Sequence, residues 1–459
     1  MPEKFINKIK RQLGLAALLI ILGIYLLHIL NVRFWNRGDG TIEWDIISYY
    51  AYLPAAFIYD DLSLSFIEDD KEFFSDYIWP EKTEEGNKVI KTSMGLAYLY
   101  SPFFLIAHQY SKKSDYQANG YSLPYHLALS FSSLFYAIFG FWFLWKILRT
   151  YFSHWVSFIT MISIGLGTNL FAYTTVFAPM PHSFNFTLII LFIWLTMKWY
   201  EKRKLVNSFF LGLVFGLIVL IRPTNIVILL FFLLYGINNK RSFKERFHLY
   251  LKNSKFILVI VVSALIIWTP QLLYWKNQTG DFLYFSYGED EKFFWLQPVF
   301  WKGLFGFRKG WLIYTPIMIF GVAGIFLLKG KLKDLRLPII LTLVTAMYLI
   351  FSWWCWWYGG SFGMRPMIDY YGMLAIPMAS FLQFASTRKR IARNIFYSLF
   401  SIGFLLGIYH YIQFHYDAIH YDSMTWKAYK HSFGRIHDSD KLDELLEPPD
   451  YEEAKRTRN

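Results

Sequence analysis

Long apolar runs alternate with short polar segments over most of this chain. The runs fall at 12–30, 122–148, 155–176, 182–199, 208–221, 224–237, 256–275, 311–329, 337–354, 366–386 and 393–413. Most approach the roughly 20 residues that a helix needs to cross a bilayer. A helix also satisfies its own backbone polar groups in lipid. The pattern predicts an all-α polytopic membrane protein with about eleven transmembrane helices. Two of the runs, 208–221 and 224–237, are short and meet at Arg222-Pro223-Thr224-Asn225. They read as a broken pair whose tip lies below the membrane surface. Such a break persists only where protein covers it or a wet cavity lies beside it.

The polar segments set the sides. Lys4, Lys8, Lys10 and Arg11 precede the first run, which places the N-terminus in the cytoplasm. Residues 32–120 then form a long first outer loop, too long for an idle connector. Within it, 94–108 is apolar but below spanning length. Counting it as a span would put Arg203-Lys204, Lys240-Arg241, Lys331 with Lys333, and Arg388-Lys389-Arg390 outside. Counting it as an interfacial helix puts all of them inside, as the positive-inside rule requires. The transmembrane domain runs over 1–413. Residues 414–459 form an external tail, expected to be folded at first and disordered toward its charged end.

Composition agrees with this reading. The chain of 459 residues is 55% hydrophobic, 21% aromatic and only 17% charged. A net charge of +13 invites a nucleic-acid reading, but the basic residues sit in short loops between spans, where topology explains them. No nucleic-acid partner is implied. The single cysteine, Cys355, excludes an intrachain disulfide, which fits a bacterial inner membrane.

No phosphate-binding loop, zinc helix or nucleophile elbow occurs, so the candidate chemistry rests on single residues, all on the outer side. Asp39, Glu43 and Asp45 follow the first span within Gly38-Asp39-Gly40-Thr41-Ile42-Glu43-Trp44-Asp45. Asp45 opens an apolar, tyrosine-rich stretch. It is either a helix cap or a general base for an acceptor hydroxyl, with Asp39 and Glu43 behind it. Three close acids could hold a divalent cation, but no spacing demands one. Lys91 would turn a cation back toward the acids, or simply snorkel. His182 is either a helix cap or a donor to a substrate oxygen. Arg222, at the tip of a broken helix, is costly inside a membrane and suits a phosphate; the alternative partner is backbone carbonyl. Arg308, Lys309 and Arg365 break the inside bias of basic residues. Arg365 could pair with Asp369 four residues on. Trp353, Trp354, Trp356 and Trp357 suggest an interface belt or a sugar platform.

Taken together, the motifs resemble the membrane glycosyltransferases of the GT-C fold, among them the protein O-mannosyltransferases and aminoarabinose transferases. The matching features are an acid leading into Ser48-Tyr49-Tyr50-Ala51-Tyr52-Leu53-Pro54, Lys91 before Ser101-Pro102-Phe103-Phe104, Met180-Pro181-His182, the hairpin ending Arg222-Pro223-Thr224-Asn225, and Tyr358 to Arg365. In place of the tight acidic pair of those enzymes, this chain spreads three acids. The resemblance implies a polyprenyl-phosphate sugar donor and a lipid, glycan or protein acceptor. It implies inverting transfer, with Asp45 as base and Arg222, Lys91, His182 and Arg365 around the lipid phosphate. The competing class is a transporter or lipid flippase. The absence of an internal repeat and the one-sided placement of the polar candidates favour the enzyme.

Overall fold

The computed structural model describes residues 3–38, 40–288 and 290–457, leaving the side chains of 3–11 and of Lys240 undescribed. Asp39 therefore lies outside the described residues. Helix α1 (Glu3–Val32) leads into a long first loop, which holds α2 (Asp45–Phe57), α3 (Lys71–Tyr77), a two-stranded antiparallel hairpin of β1 (Glu81–Lys82) and β2 (Lys88–Val89), and α4 (Gly95–Ser111). The bundle continues with α5 (Leu123–Tyr151), α6 (His154–Leu166), α7 (Leu170–Thr175), α8 (Pro181–Glu201) and α9 (Leu205–Ile221). After a 3-10 stretch over Pro223–Ile228 come α10 (Leu229–Leu234), α11 (Lys240–Lys252) and α12 (Ser254–Thr279). The second half holds α13 (Phe300–Phe305), α14 (Trp311–Tyr314), α15 (Met318–Ile325), α16 (Lys333–Ser352), α17 (Tyr371–Ser386) and α18 (Arg390–His415). The segment beyond 414, expected to end in disorder, carries α19 (Trp426–Ser432), α20 (Asp440–Asp443) and α21 (Tyr451–Arg456).

Six helical stretches among the described residues are long and apolar enough to cross a membrane: Gln12–Asn36, Leu123–Tyr151, Pro181–Glu201, Ser254–Thr279, Gly330–Ser352 and Arg390–His415. The other five apolar runs are helical but shorter or interrupted. The run 155–176 breaks between α6 and α7, at Gly167-Thr168-Asn169. The run 311–329 breaks between α14 and α15, where Pro316 cannot donate a backbone hydrogen bond. Residues 365–370 form a 3-10 helix before α17.

Helix α8 is the centre, buried along most of its length and packed on α5, α9 and α17. Helix α9 lies against α12 through Gly212 and Gly216, one helical turn apart. A Cβ on Gly216 would sit 2.8 Å from the Ala264 carbonyl oxygen, so only glycine permits this approach. The Trp268 indole donates to the Gly216 carbonyl across the same contact, at 3.0 Å. Helix α4 is braced against the end of α9: a Cβ on Gly95 would lie 2.6 Å from the Ile221 amide nitrogen. The broken hairpin expected at Arg222 is present. Helix α9 stops at Ile221, Arg222 is extended, and Pro223 starts the 3-10 stretch.

Tyrosines of α2, with Tyr59 just beyond it, pin the long first loop. Tyr52 donates to the Thr92 carbonyl at 2.7 Å, and Tyr59 to that of Asn119 at 3.1 Å. Tyr50 donates to the carbonyl of Gly120. Each hydroxyl satisfies a loop carbonyl while its ring fills the core.

Candidate active site

The acid-bearing turn is held by a histidine outside it. His126 of α5 accepts from the Thr41 amide through Nδ1 at 2.9 Å, and its Nε2 donates to the Tyr121 carbonyl at 2.9 Å. Gly40 has φ +75° and faces this ring: a Cβ there would meet His126 Nδ1 at 2.7 Å. Glycine is required for both reasons. Trp44, at φ 50°, then turns the chain into α2. That sparsely populated conformation marks a constrained position.

Asp45 is the first residue of α2, and its side chain is 55% exposed. It makes no side-chain cap; its partner comes from across the molecule. Arg365 Nη2 donates to Asp45 Oδ2 at 3.1 Å, and the Arg365 side chain is largely buried. Its Nε is buried without a hydrogen-bond partner. Glu43 is half-buried two residues before Asp45.

Asp369 is fully buried and gathers four donors. His182 Nδ1 lies 3.0 Å from Oδ1. Asn185 Nδ2, Asn225 Nδ2 and Arg222 Nη1 lie 3.1, 2.8 and 3.3 Å from Oδ2. Tyr370 donates to Asn225 Oδ1 at 2.8 Å and fixes that amide. Burying a carboxylate is costly unless donors and a counter-charge surround it. Arg222 supplies the charge and keeps its remaining N–H groups for other partners.

The contacts decide between readings that the sequence left open. Arg365 and Asp369 do not pair with each other. Their segment is 3-10, with three residues per turn, so positions four apart diverge around the helix instead of stacking. His182 is not a cap, since Met180 holds the cap position without a side-chain bond. Arg222 takes a carboxylate partner where backbone carbonyls were the alternative. Lys91 also departs from expectation: it pairs with Glu291 at 3.1 Å and Glu81 at 3.5 Å, not with the acids after the first span.

Asp45 and both arginines lie within electrostatic reach of Tyr287, in the segment after α12. Its hydroxyl is pushed up to about 12, first by burial and then by the Asp45 charge, with Arg222 and Arg365 opposing. Asp45 and Arg365 are bonded, and Arg222 and Tyr287 lie within electrostatic reach of that pair.

Arg308 and Lys309 act elsewhere. Arg308 donates to the carbonyls of Asp422 (2.7 Å) and Glu447 (2.9 Å). Lys309 is buried and donates to the Ser361 hydroxyl at 2.9 Å and to the carbonyls of Ser361 and Tyr421. Burial, with Arg365 adding to it, holds its ammonium well below the ordinary lysine range. These two residues fasten the tail to the 355–365 loop that carries Arg365. Trp354, Trp356 and Trp357 are buried in that loop, and Tyr451 packs on Trp354 and Trp357. This is an interior cluster, neither a membrane belt nor an open sugar platform.

Sequence reasoning missed Asn185, Asn225 and Tyr287, and gave Asp369 the wrong partner. The spacing of His182 and Asn185, three apart at a helix start, was the available signal. Among the described residues no group of three or more His, Cys, Asp or Glu is placed to hold a metal ion. With Asp45 engaged by Arg365, the described donors do not make a divalent-cation site.

Comparison with known proteins bears on the fold. Residues 126–268 match the family described as dolichyl-phosphate-mannose-protein mannosyltransferase. No curated protein matches the chain significantly. Among solved structures, the chain is similar to the archaeal oligosaccharyltransferase AglB from Archaeoglobus fulgidus, in complex with an inhibitory peptide and a dolichol-phosphate. The TM-score is 0.50 at 13% identity, over 95% of this chain and 61% of that one. This chain therefore spans about three fifths of that enzyme's length. The fold is GT-C-like, and the protein is a multi-pass membrane protein.

Proposed function

We propose that this protein transfers a sugar from a polyprenyl-phosphate carrier to an acceptor hydroxyl at the outer face of a bacterial inner membrane. The observation that carries this reading is a half-exposed carboxylate bonded to one buried guanidinium with a second within electrostatic reach, which we read as facing one cleft. Arg365 Nε, buried and unbonded, is an unmet donor there.

Asp45 accepts the proton of the acceptor hydroxyl. The acceptor oxygen attacks the anomeric carbon, and the bond from that carbon to the phosphate oxygen breaks. The electron pair leaves on the lipid phosphate, which gains one negative charge. One displacement inverts the centre and needs one base. Arg222 and Arg365 face the charge that develops. Such preorganised donors in a site poor in water form a large catalytic term. Arg365 moving toward the arriving phosphate opens Asp45 Oδ2 to the acceptor hydroxyl. His182 and Lys91 play different parts. His182, held through Nδ1 by Asp369, backs the phosphate side. Lys91, between Glu81 and Glu291, ties the first outer loop to the segment after α12.

The family match and the AglB complex support the donor class. The test is to incubate purified protein with a panel of labelled polyprenyl-phosphate sugars and measure released lipid phosphate. Release with any member supports the reading. Movement of the intact lipid across the membrane without release would make the protein a flippase.

A further inference from the structure

Helix α11 lies at the opposite end of α12 from the cleft. The cleft end is fixed by Tyr274, which accepts from the Ile90 amide at 2.9 Å, and by Gln271, which accepts from Met94 at 2.7 Å. From Ser254 to Thr279, α12 is 26 residues long, or about 39 Å at the usual rise per residue, roughly a bilayer. One residue, Asn253, separates α11 from α12. The helix therefore sits where the chain enters the membrane.

Its side chains divide into three sectors. One sector docks on the protein: Tyr250 bonds the Tyr200 hydroxyl at 2.7 Å and the Leu233 carbonyl at 3.0 Å. Arg246 stacks over the Tyr200 ring at 4.4 Å and donates to the Tyr235 carbonyl. These contacts fix the roll of the helix. The next sector is Phe243, Phe247 and Leu251, four residues apart, one above the other. All three are exposed, at 62%, 65% and 59%. The third sector carries Arg241, Lys244, His248 and Lys252, with Glu245 bonded to Arg241 at 2.8 Å. Lys255 adds an exposed cation at the start of α12. Three aligned large apolar side chains in water would be unfavourable. A helix with a docked face, an apolar edge and a cationic face suits a membrane surface.

We infer that α11 is a seat for anionic phospholipid headgroups. Phe243, Phe247 and Leu251 insert at the acyl boundary of the leaflet opposite the cleft. Arg241, Lys244, Lys252 and Lys255 meet lipid phosphates above it. The exposed apolar residues of α12 begin at Leu258 and continue the same apolar surface into the bilayer. The excess of cations over the one acid selects anionic over zwitterionic lipid. This inference stands apart from the proposed transferase reaction.

The full-length protein is reconstituted in phosphatidylcholine vesicles with or without phosphatidylglycerol. Single environment-sensitive labels are attached at Phe247→Cys, Leu251→Cys and Glu245→Cys, in a Cys355→Ser background. Labels at 247 and 251 are expected to be quenched by spin-labelled lipid and shielded from aqueous iodide, and the label at 245 the reverse. Removing cations (Arg241→Gln, Lys244→Gln, Lys252→Gln) should lower retention of fluorescent phosphatidylglycerol about fivefold for each. Phosphatidylcholine retention should stay unchanged. These substitutions lie on an exposed face, and an unchanged melting temperature would show that the fold is kept. Free access of iodide to 247, unchanged phosphatidylglycerol retention in the triple variant, or disulfide cross-linking between copies at 247 would each overturn the inference.

Discussion

At the residue scale, the site depends on one buried carboxylate that its neighbours in sequence do not explain. Asp369 holds Arg222, His182, Asn185 and Asn225 together. Removing it leaves Arg222 buried without a counter-charge, and Asp369→Ala should cost about 3–5 kcal/mol of stability, read by thermal unfolding in detergent. Asp369→Asn keeps the shape but not the charge. It releases Arg222 toward phosphate and loosens its aim, so donor KM should fall while kcat falls more; equal loss of stability and kcat with unchanged KM would mean a purely structural role. Sequence reading found Arg222, His182 and Arg365 because charged or polar residues near apolar runs are conspicuous. It could not find their partners, because pairing depends on a 3-10 segment whose geometry the four-residue spacing conceals.

At the element scale, the long first loop and the α9–α12 contact position Asp45 and Arg222. Asp61 organises the chain after α2. Its carboxylate accepts from the Ser63 amide (2.8 Å) and the Ser65 amide (2.7 Å). Partial burial opposes its ionisation, but the hydroxyls and amides of Ser63, Ser65 and Phe66 outweigh that and hold it at about 2, against an ordinary 3.8. A depressed folded value means that its contribution is complete above 3.8 and lost as pH falls toward 2. Amide exchange over 61–69 should therefore rise across that window, while Asp61→Asn should remove the pH dependence. The α9–α12 contact makes a second prediction. Gly216→Leu drives a side chain into Ala264 and should cost about 1–3 kcal/mol, with lower turnover because Arg222 rides on the end of α9. An unchanged melting temperature would count against this packing. Hydropathy showed where these elements lie. It did not show that glycines bring α9 and α12 together, since an apolar run looks the same whether it faces lipid or a neighbouring helix.

At the scale of the whole molecule, the apolar runs made the multi-pass membrane architecture legible in the sequence. The breaks were harder to see. Pro316 and the Gly167 turn interrupt two runs whose average hydropathy is high, so five of the eleven expected spans are short or broken. The tail poses a similar difficulty. Its charged composition suggests disorder, but Arg308 and the buried Lys309 bind its backbone carbonyls and fold it onto the loop of Arg365. The orientation of the protein can be read by placing a single cysteine at Lys112, just past α4, with Cys355→Ser. Labelling of intact cells by a membrane-impermeant reagent is expected. Reactivity only after permeabilisation would reverse the assigned sides and make α4 a span.

The central claim is that Asp45 accepts a proton from the sugar acceptor in a cleft whose arginines hold the lipid phosphate. The most direct measurement compares lipid-phosphate release by the wild-type protein and by Asp45→Asn, in one membrane preparation with one lipid-linked sugar. Asp45 is half-exposed, so the variant should fold normally. Its release rate should fall by about 10²–10⁴-fold, as expected when a general base is lost. Release at the wild-type rate by the folded variant would contradict the account.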